Sequence, residues 1–170
     1  MQLKREGTRR EREGSAKVVF EELSGRIVGC AMKVHSALGP GLLESAYEEC
    51  LCHELAKDGL RLRRQVPVPL RYDGLQLDCG FRLDILVEEK VIVEVKAVER
   101  LLPIHEAQLH TYLKVTGFAL GILMNFNICH LRNGMLRRVM TQNLRAPFAN
   151  PSRTFAFQAP LAIPVTRTEA

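Results

Sequence analysis

Between Phe81 and Lys96 the chain reads Phe-Arg-Leu-Asp-Ile-Leu-Val-Glu-Glu-Lys-Val-Ile-Val-Glu-Val-Lys. Asp84, Glu94 and Lys96 interrupt two otherwise apolar runs. Strand residues two apart point to the same face, so Glu94 and Lys96 project together while Val93 and Val95 point the other way. A carboxylate inside a valine-rich strand is costly to bury unless it is paired or holds a metal ion. A buried Glu94–Lys96 ion pair meets that cost in one way, and Asp84 opens another.

Opposed residues of an antiparallel pair share a face and keep a constant index sum. Pairing Asp84 with Glu94 sets Val87 opposite Val91 and leaves Glu88-Glu89-Lys90 as the loop, a common hairpin length. A two-residue loop would put the carboxylates on opposite faces. The sequence thus permits a cluster of two carboxylates and one lysine. Carboxylates with open positions around them suit a hard divalent cation, Mg2+ or Mn2+. Such an ion polarises a phosphoryl oxygen and lowers the pKa of a bound water. A neighbouring ammonium helps activate the nucleophile and balance developing charge. This is the chemistry of phosphodiester hydrolysis.

The elements that must position these residues follow from periodicity. From Ser24, read as an N-cap, Ile27, Ala31, Val34 and Leu38 form one helical face that ends at Gly39-Pro40-Gly41. A second helix is expected from about Leu42 to Lys57, stopped by Asp58-Gly59. Three strands follow: Arg61 to Tyr72, an edge strand because of Pro67 and Pro69; Leu75 to Val87, bent at Gly80; and Val91 to Val98. Asp73-Gly74 is the hairpin turn between the first two. A helix from Pro103 or Ile104 to Val115 ends at Gly117. Phe118 to Phe126 is a buried strand, and Asn133-Gly134 is expected to close a last hairpin between 128–132 and 135–140. The reading is an α/β (α+β) sandwich, a mixed sheet with a three-strand meander flanked by helices.

The ends read differently. Residues 1–23 hold six Lys/Arg and five Glu and little to bury, so a disordered or loosely helical leader is expected. Residues 146–170 carry four of the eight prolines and read as an extended tail. The domain is placed at 24–145. Its sixteen basic and thirteen acidic residues allow an anionic partner without demanding one. No apolar run reaches the ~18 residues of a membrane span. Five cysteines without CxxC spacing or a signal peptide read as reduced thiols in a cytoplasmic protein.

The spacing Asp84, nine residues, Glu94-x-Lys96 resembles the D…(D/E)xK motif of the PD-(D/E)xK nuclease superfamily, and the element order contains that superfamily's α-β-β-β-α-β core. Leu83 stands where the motif's proline would be. Gly41-Leu-Leu-Glu44-Ser-Ala-Tyr47 is similar to the signature of the GxxExxY group. So are Val34-His35 with Leu38-Gly-Pro-Gly41, Arg64-Gln-Val-Pro67, Leu77-Asp-Cys-Gly80 and Leu102-Pro-Ile-His-Glu-Ala-Gln108. The likeness covers residues 24–140.

The resemblance implies a restriction-endonuclease-like core and a Mg2+- or Mn2+-dependent nuclease acting on nucleic acid, DNA before RNA. Asp84, Glu94 and Lys96 would be catalytic, and Glu44 would complete the metal site with Asp84 and Glu94. On position alone Glu44 is a first-turn helix residue, where the macrodipole favours an ionised carboxylate. Gln108-x-x-x-Tyr112 is similar to a motif of RecB-type exonucleases and would line the substrate cleft with His105 and Tyr47; by spacing alone Gln108 and Tyr112 are a surface pair. His35 is a further metal candidate by resemblance and a helix-end residue by position. The rival reading is a nucleic-acid-binding or protein-interaction module that keeps the fold without turnover. A second enzymatic rival is another phosphohydrolase on the same metal site. The small size calls for a protein partner or a homo-oligomer.

Overall fold

Valine alternation builds the centre of the fold. The computed structural model describes residues 3–140. They form α1 (Leu3–Leu38), α2 (Glu44–Lys57), β1 (Leu62–Tyr72), β2 (Leu75–Val87), β3 (Val91–Lys96), α3 (Pro103–Thr116), β4 (Leu120–Asn125), a 3-10 turn (Leu131–Gly134) and β5 (Met135–Val139). The sheet order is β1-β2-β3-β4-β5. Only β3 and β4 run parallel, and α3 makes the crossover that a parallel pair requires.

Val91, Val93 and Val95 face one side with Ile85, Val87, Ile122 and Met124, and bury against Ile27, Ala31, Val34, Leu51 and Leu55 of α1 and α2. Leu86, Ile92 and Leu123 face the other side and bury against Leu109, Tyr112 and Leu113 of α3. The sheet is thus sandwiched between helices, the mixed α/β architecture expected. A Cβ at Gly121 would lie 2.6 Å from Leu109 Cδ1, so glycine there lets α3 sit close on β4. None of the described helices is long and apolar enough to cross a membrane.

The β2–β3 register is the one the hairpin argument favoured: Val87 opposes Val91 and Ile85 opposes Val93. β1 is an edge strand, as its prolines required. The bend expected at Gly80 accompanies a register shift between Val68 and Leu70, where a Cβ on Gly80 would meet Leu70 Cβ at 2.7 Å.

Two expectations are corrected. The first helix starts earlier than the N-cap expected at Ser24. α1 begins at Leu3, Ser24 lies inside it with its hydroxyl donating to Glu21 O at 3.1 Å, and Phe20 and Leu23 are buried in the core. The apolar stripe of Ile27 and Val34 simply continues back through those two residues. The closing hairpin is also absent. Residues 128–130 form no strand, residues 131–134 form the 3-10 turn, and β5 pairs with β4 instead. A Cβ on Gly134 would sit 2.7 Å from Asn125 O, so this glycine serves a close approach to the end of β4. The expected tail at 146–170 lies outside the described residues.

Candidate active site

The site forms where β2 leaves β3. Their pairing stops at Ile85 and Val93, and the side chain of Asp84 enters the gap that opens beyond. Asp84 Oδ2 accepts the Val95 backbone N–H at 2.9 Å, doing for β3 what a strand carbonyl would have done. Glu94 lies beside it at 2 % exposure, with Oε1 accepting the Asp84 backbone N–H at 3.4 Å.

Lys96 gathers these groups. Its Nζ lies 3.7 Å from Asp84 Oδ2, 3.9 Å from Glu94 Oε2 and 3.4 Å from Glu44 Oε1. It also donates to Val95 O at 2.9 Å. Three elements, β2, β3 and the N-terminus of α2, thus present one carboxylate each to a single cationic point.

Burial and crowding shape the ionisation. Burial raises the Glu94 carboxyl, the Asp84 charge raises it further, and Lys96 only partly offsets them, leaving it at about 9. Asp84 is also raised, first by burial, although the Val95 N–H and Lys96 pull it down. Burial alone would lower Lys96, but Asp84, Glu44 and Glu94 outweigh it and raise the ammonium's pKa. In the absence of another cation the arrangement favours a charged lysine and a protonated Glu94.

The surrounding fold fixes Glu44. Gly41 has φ +106°, a backbone open to glycine, and turns the chain into α2, whose first residue is Glu44. Tyr47, one turn on, donates its hydroxyl to Gly39 O at 2.6 Å and receives the Leu42 N–H at 3.1 Å. Its ring stacks on Phe126 at 4.8 Å, and the Phe126 N–H donates to Lys96 O at 2.7 Å. The loop that presents Glu44 and the strand that presents Lys96 are therefore braced through the same pair of rings.

This changes the part assigned to Tyr47. It has no exposed surface and its hydroxyl is committed to the loop, so it does not line a substrate cleft. His35 Nε2 lies 2.7 Å from Ile128 O and the ring leans on Phe126, so this nitrogen is committed to a backbone carbonyl. His105 Nδ1 accepts the Leu102 N–H at 3.1 Å and closes the N-terminus of α3. Gln108 and Tyr112 do lie toward the site. Gln108 Nε2 donates to the Tyr112 hydroxyl, and Tyr112 stacks on Phe81 at 4.4 Å. Burial raises the Tyr112 phenol, the Gln108 hydrogen bond lowers it, and the nearby Glu94 and Asp84 charges raise it again.

Among the described residues no three His, Cys, Asp or Glu side chains stand close enough to hold a metal ion as they lie. The donor chemistry nevertheless fits a hard divalent cation. The oxygens are carboxylates, and they already converge on a positive charge. Residues missed in the sequence are Glu48 and Asn125. Glu48 is buried four residues after Glu44 and takes hydrogen bonds from Arg64 and Gln65. Asn125, across from Lys96 in β4, ties residue 98 by accepting its N–H at 3.0 Å and donating to its carbonyl at 2.8 Å. A polar residue in the wholly buried β4 run was the available signal.

A sequence profile for the PD-(D/E)XK nuclease superfamily matches residues 21–139. No curated protein and no solved structure gives a significant match.

Proposed function

The chain belongs to the PD-(D/E)XK nuclease superfamily, and we propose from that premise that it is a metal-dependent nuclease hydrolysing phosphodiester bonds in DNA. Members of the superfamily generally use divalent metal ions; here the ion would be Mg2+ or Mn2+. Within the superfamily we assign the chain to the GxxExxY group, on Gly41, Glu44 and Tyr47. The observation that carries the reading is the convergence of Glu44, Asp84 and Glu94 on Lys96 Nζ.

In this reading Asp84 and Glu94 hold the ion, with Glu44 assisting from α2. When bound, it supplies Lewis acidity toward a phosphoryl oxygen and acidifies a coordinated water. Lys96 orients the attacking water and offsets the charge that builds on the phosphorane-like transition state. Asp84 is held by the Val95 N–H, so the β3 backbone just past the ladder's end sets its angle. Gln108 and Tyr112 bind the substrate from α3. Tyr47, buried with its hydroxyl on the loop, keeps Glu44 in place rather than touching substrate.

The Lys96 ammonium at the centre of the carboxylates favours one second reading, a nucleic-acid-binding module without turnover in which the lysine merely neutralises acids. Labelled single- and double-stranded DNA and RNA, incubated with Mg2+, Mn2+ or EDTA, separate the two. Cleavage that requires the cation and disappears in Asp84→Asn supports the nuclease. Tight binding without cleavage on every substrate supports the module.

A further inference from the structure

Gln65 and Glu48 are used by none of the roles above, yet they meet beside the site. Gln65 lies in the middle of β1 with φ +49°, a left-handed backbone that a residue bearing a Cβ adopts only under constraint. Its neighbours pair as Arg64 with Ile85 and Val66 with Leu83, so Gln65 falls opposite Asp84.

Both strands turn over at that point. Leu62 packs on the α1–α2 side, where Ile85 and Val87 are also buried. Val66, Val68 and Leu83 are buried on the α3 side. A regular strand keeps residues 62, 66 and 68 on one face. The left-handed residue at 65 supplies the half-turn in β1, and β2 makes its matching turn at Asp84. This is also where β2 parts from β3 and the Asp84 carboxylate drops into the gap to meet the Val95 N–H.

The Gln65 side chain then ties the kink to α2. Its Nε2 donates to Glu48 Oε2 at 2.7 Å, while Arg64 Nε donates to Glu48 Oε1 at 3.1 Å. Glu48 is 6 % exposed and lies one turn from Glu44 on the same helix face. The helix that carries Glu44 is thereby pinned to the kink that places Asp84.

We propose that Gln65 and Glu48 are a positioning pair: the kink at Gln65, locked to Glu48, sets where the Asp84 carboxylate stands relative to Val95 and Glu44. The consequence for catalysis rests on the nuclease reading, whereas the placement of Asp84 does not.

The test uses Gln65→Gly, which accepts the left-handed backbone freely but has no amide, alongside Glu48→Ala and Glu48→Gln. Amide hydrogen exchange of Val95 reports the Asp84 contact directly. In Gln65→Gly and Glu48→Ala it should quicken roughly tenfold relative to Val93, with a melting temperature close to wild type for Gln65→Gly. Mn2+ affinity and kcat should fall by a similar factor, about tenfold, with KM for DNA unchanged. Glu48→Gln, which keeps an oxygen for Gln65, should restore most of the Val95 protection. Unchanged Val95 exchange in Gln65→Gly and Glu48→Ala overturns the proposal, as does a uniform loss of stability with kcat intact. Should wild type cleave nothing, the nuclease reading falls while Val95 exchange still decides the positioning claim.

Discussion

Tyr47 stacks on Phe126 at 4.8 Å with the rings 20° from parallel, and its hydroxyl bridges Gly39 O and Leu42 N. The stack and the bridge have separable consequences. Tyr47→Phe retains the ring and leaves two loop groups without their partner. Denaturant unfolding should show a loss of about 1 kcal/mol. Single-turnover cleavage should fall more than that loss predicts, because the loop presents Glu44. Tyr47→Ala also removes the ring from the core and should cost ~3–5 kcal/mol. A Tyr47→Phe protein with wild-type cleavage would detach the loop from the site.

Lys96→Met separates a catalytic lysine from a neutralising one. In EDTA the variant leaves a crowded acidic cluster without its cation and should melt lower than wild type, with up to ~3–5 kcal/mol lost. Added Mn2+ should recover most of that loss. Cleavage should remain depressed ~100-fold or more under the same conditions. Recovery of both stability and cleavage would reduce Lys96 to a counter-ion.

The Glu94 carboxyl, raised from 4.5 to about 9 by burial and by Asp84, gives stability a pH slope. Its folded-state pKa lies above its unfolded value. The associated stability is therefore fully present below the unfolded pKa and is lost as pH rises toward the folded one. In chelator, the melting temperature should decline across neutral to mildly alkaline pH, and Glu94→Gln should flatten that decline. Divalent-ion binding should tighten over the same range, since it displaces the proton. A melting temperature that stays flat through this window, with Glu94→Gln no different from wild type, would show Glu94 ionised in the folded chain.

Gln108→Ala tests the α3 face. Gln108 donates to Tyr112 and is only partly buried, so its loss should leave the melting temperature within a few degrees of wild type. In steady-state kinetics KM for DNA should rise severalfold with kcat little changed. Tyr112→Phe, which preserves the stack on Phe81, should do the same. A selective loss of kcat in either variant would move the pair from substrate binding to the chemical step.

The strand-borne part of the site was legible because strand parity is a hard constraint: once the loop is Glu88-Glu89-Lys90, Val87 must face Val91. What parity could not show is that the ladder ends at Ile85, so that the Asp84 carboxylate pairs with backbone. Tyr47 was visible as a motif residue, but its commitment to Gly39 and Leu42 depends on a loop fold with no periodic signature. Phe20 and Leu23 continue the apolar stripe of α1 at helical spacing, and were hidden by the mixed charges that precede them. Asn133-Gly134 misled because a glycine needed for a close pass over Asn125 reads, in sequence, like a hairpin turn.

The ammonium at the centre of the carboxylates also bears on the life history of the molecule. An acidic pocket that carries its own counter-ion does not need a metal in order to be built. The chain should mature as a complete but idle apoprotein, tolerate chelating buffers at neutral pH without unravelling, and be armed afterwards by cation alone. In the metal-dependent reading, loading would then be a reversible switch laid over a finished fold, and the cation concentration around the protein, rather than its synthesis, would set when it can act.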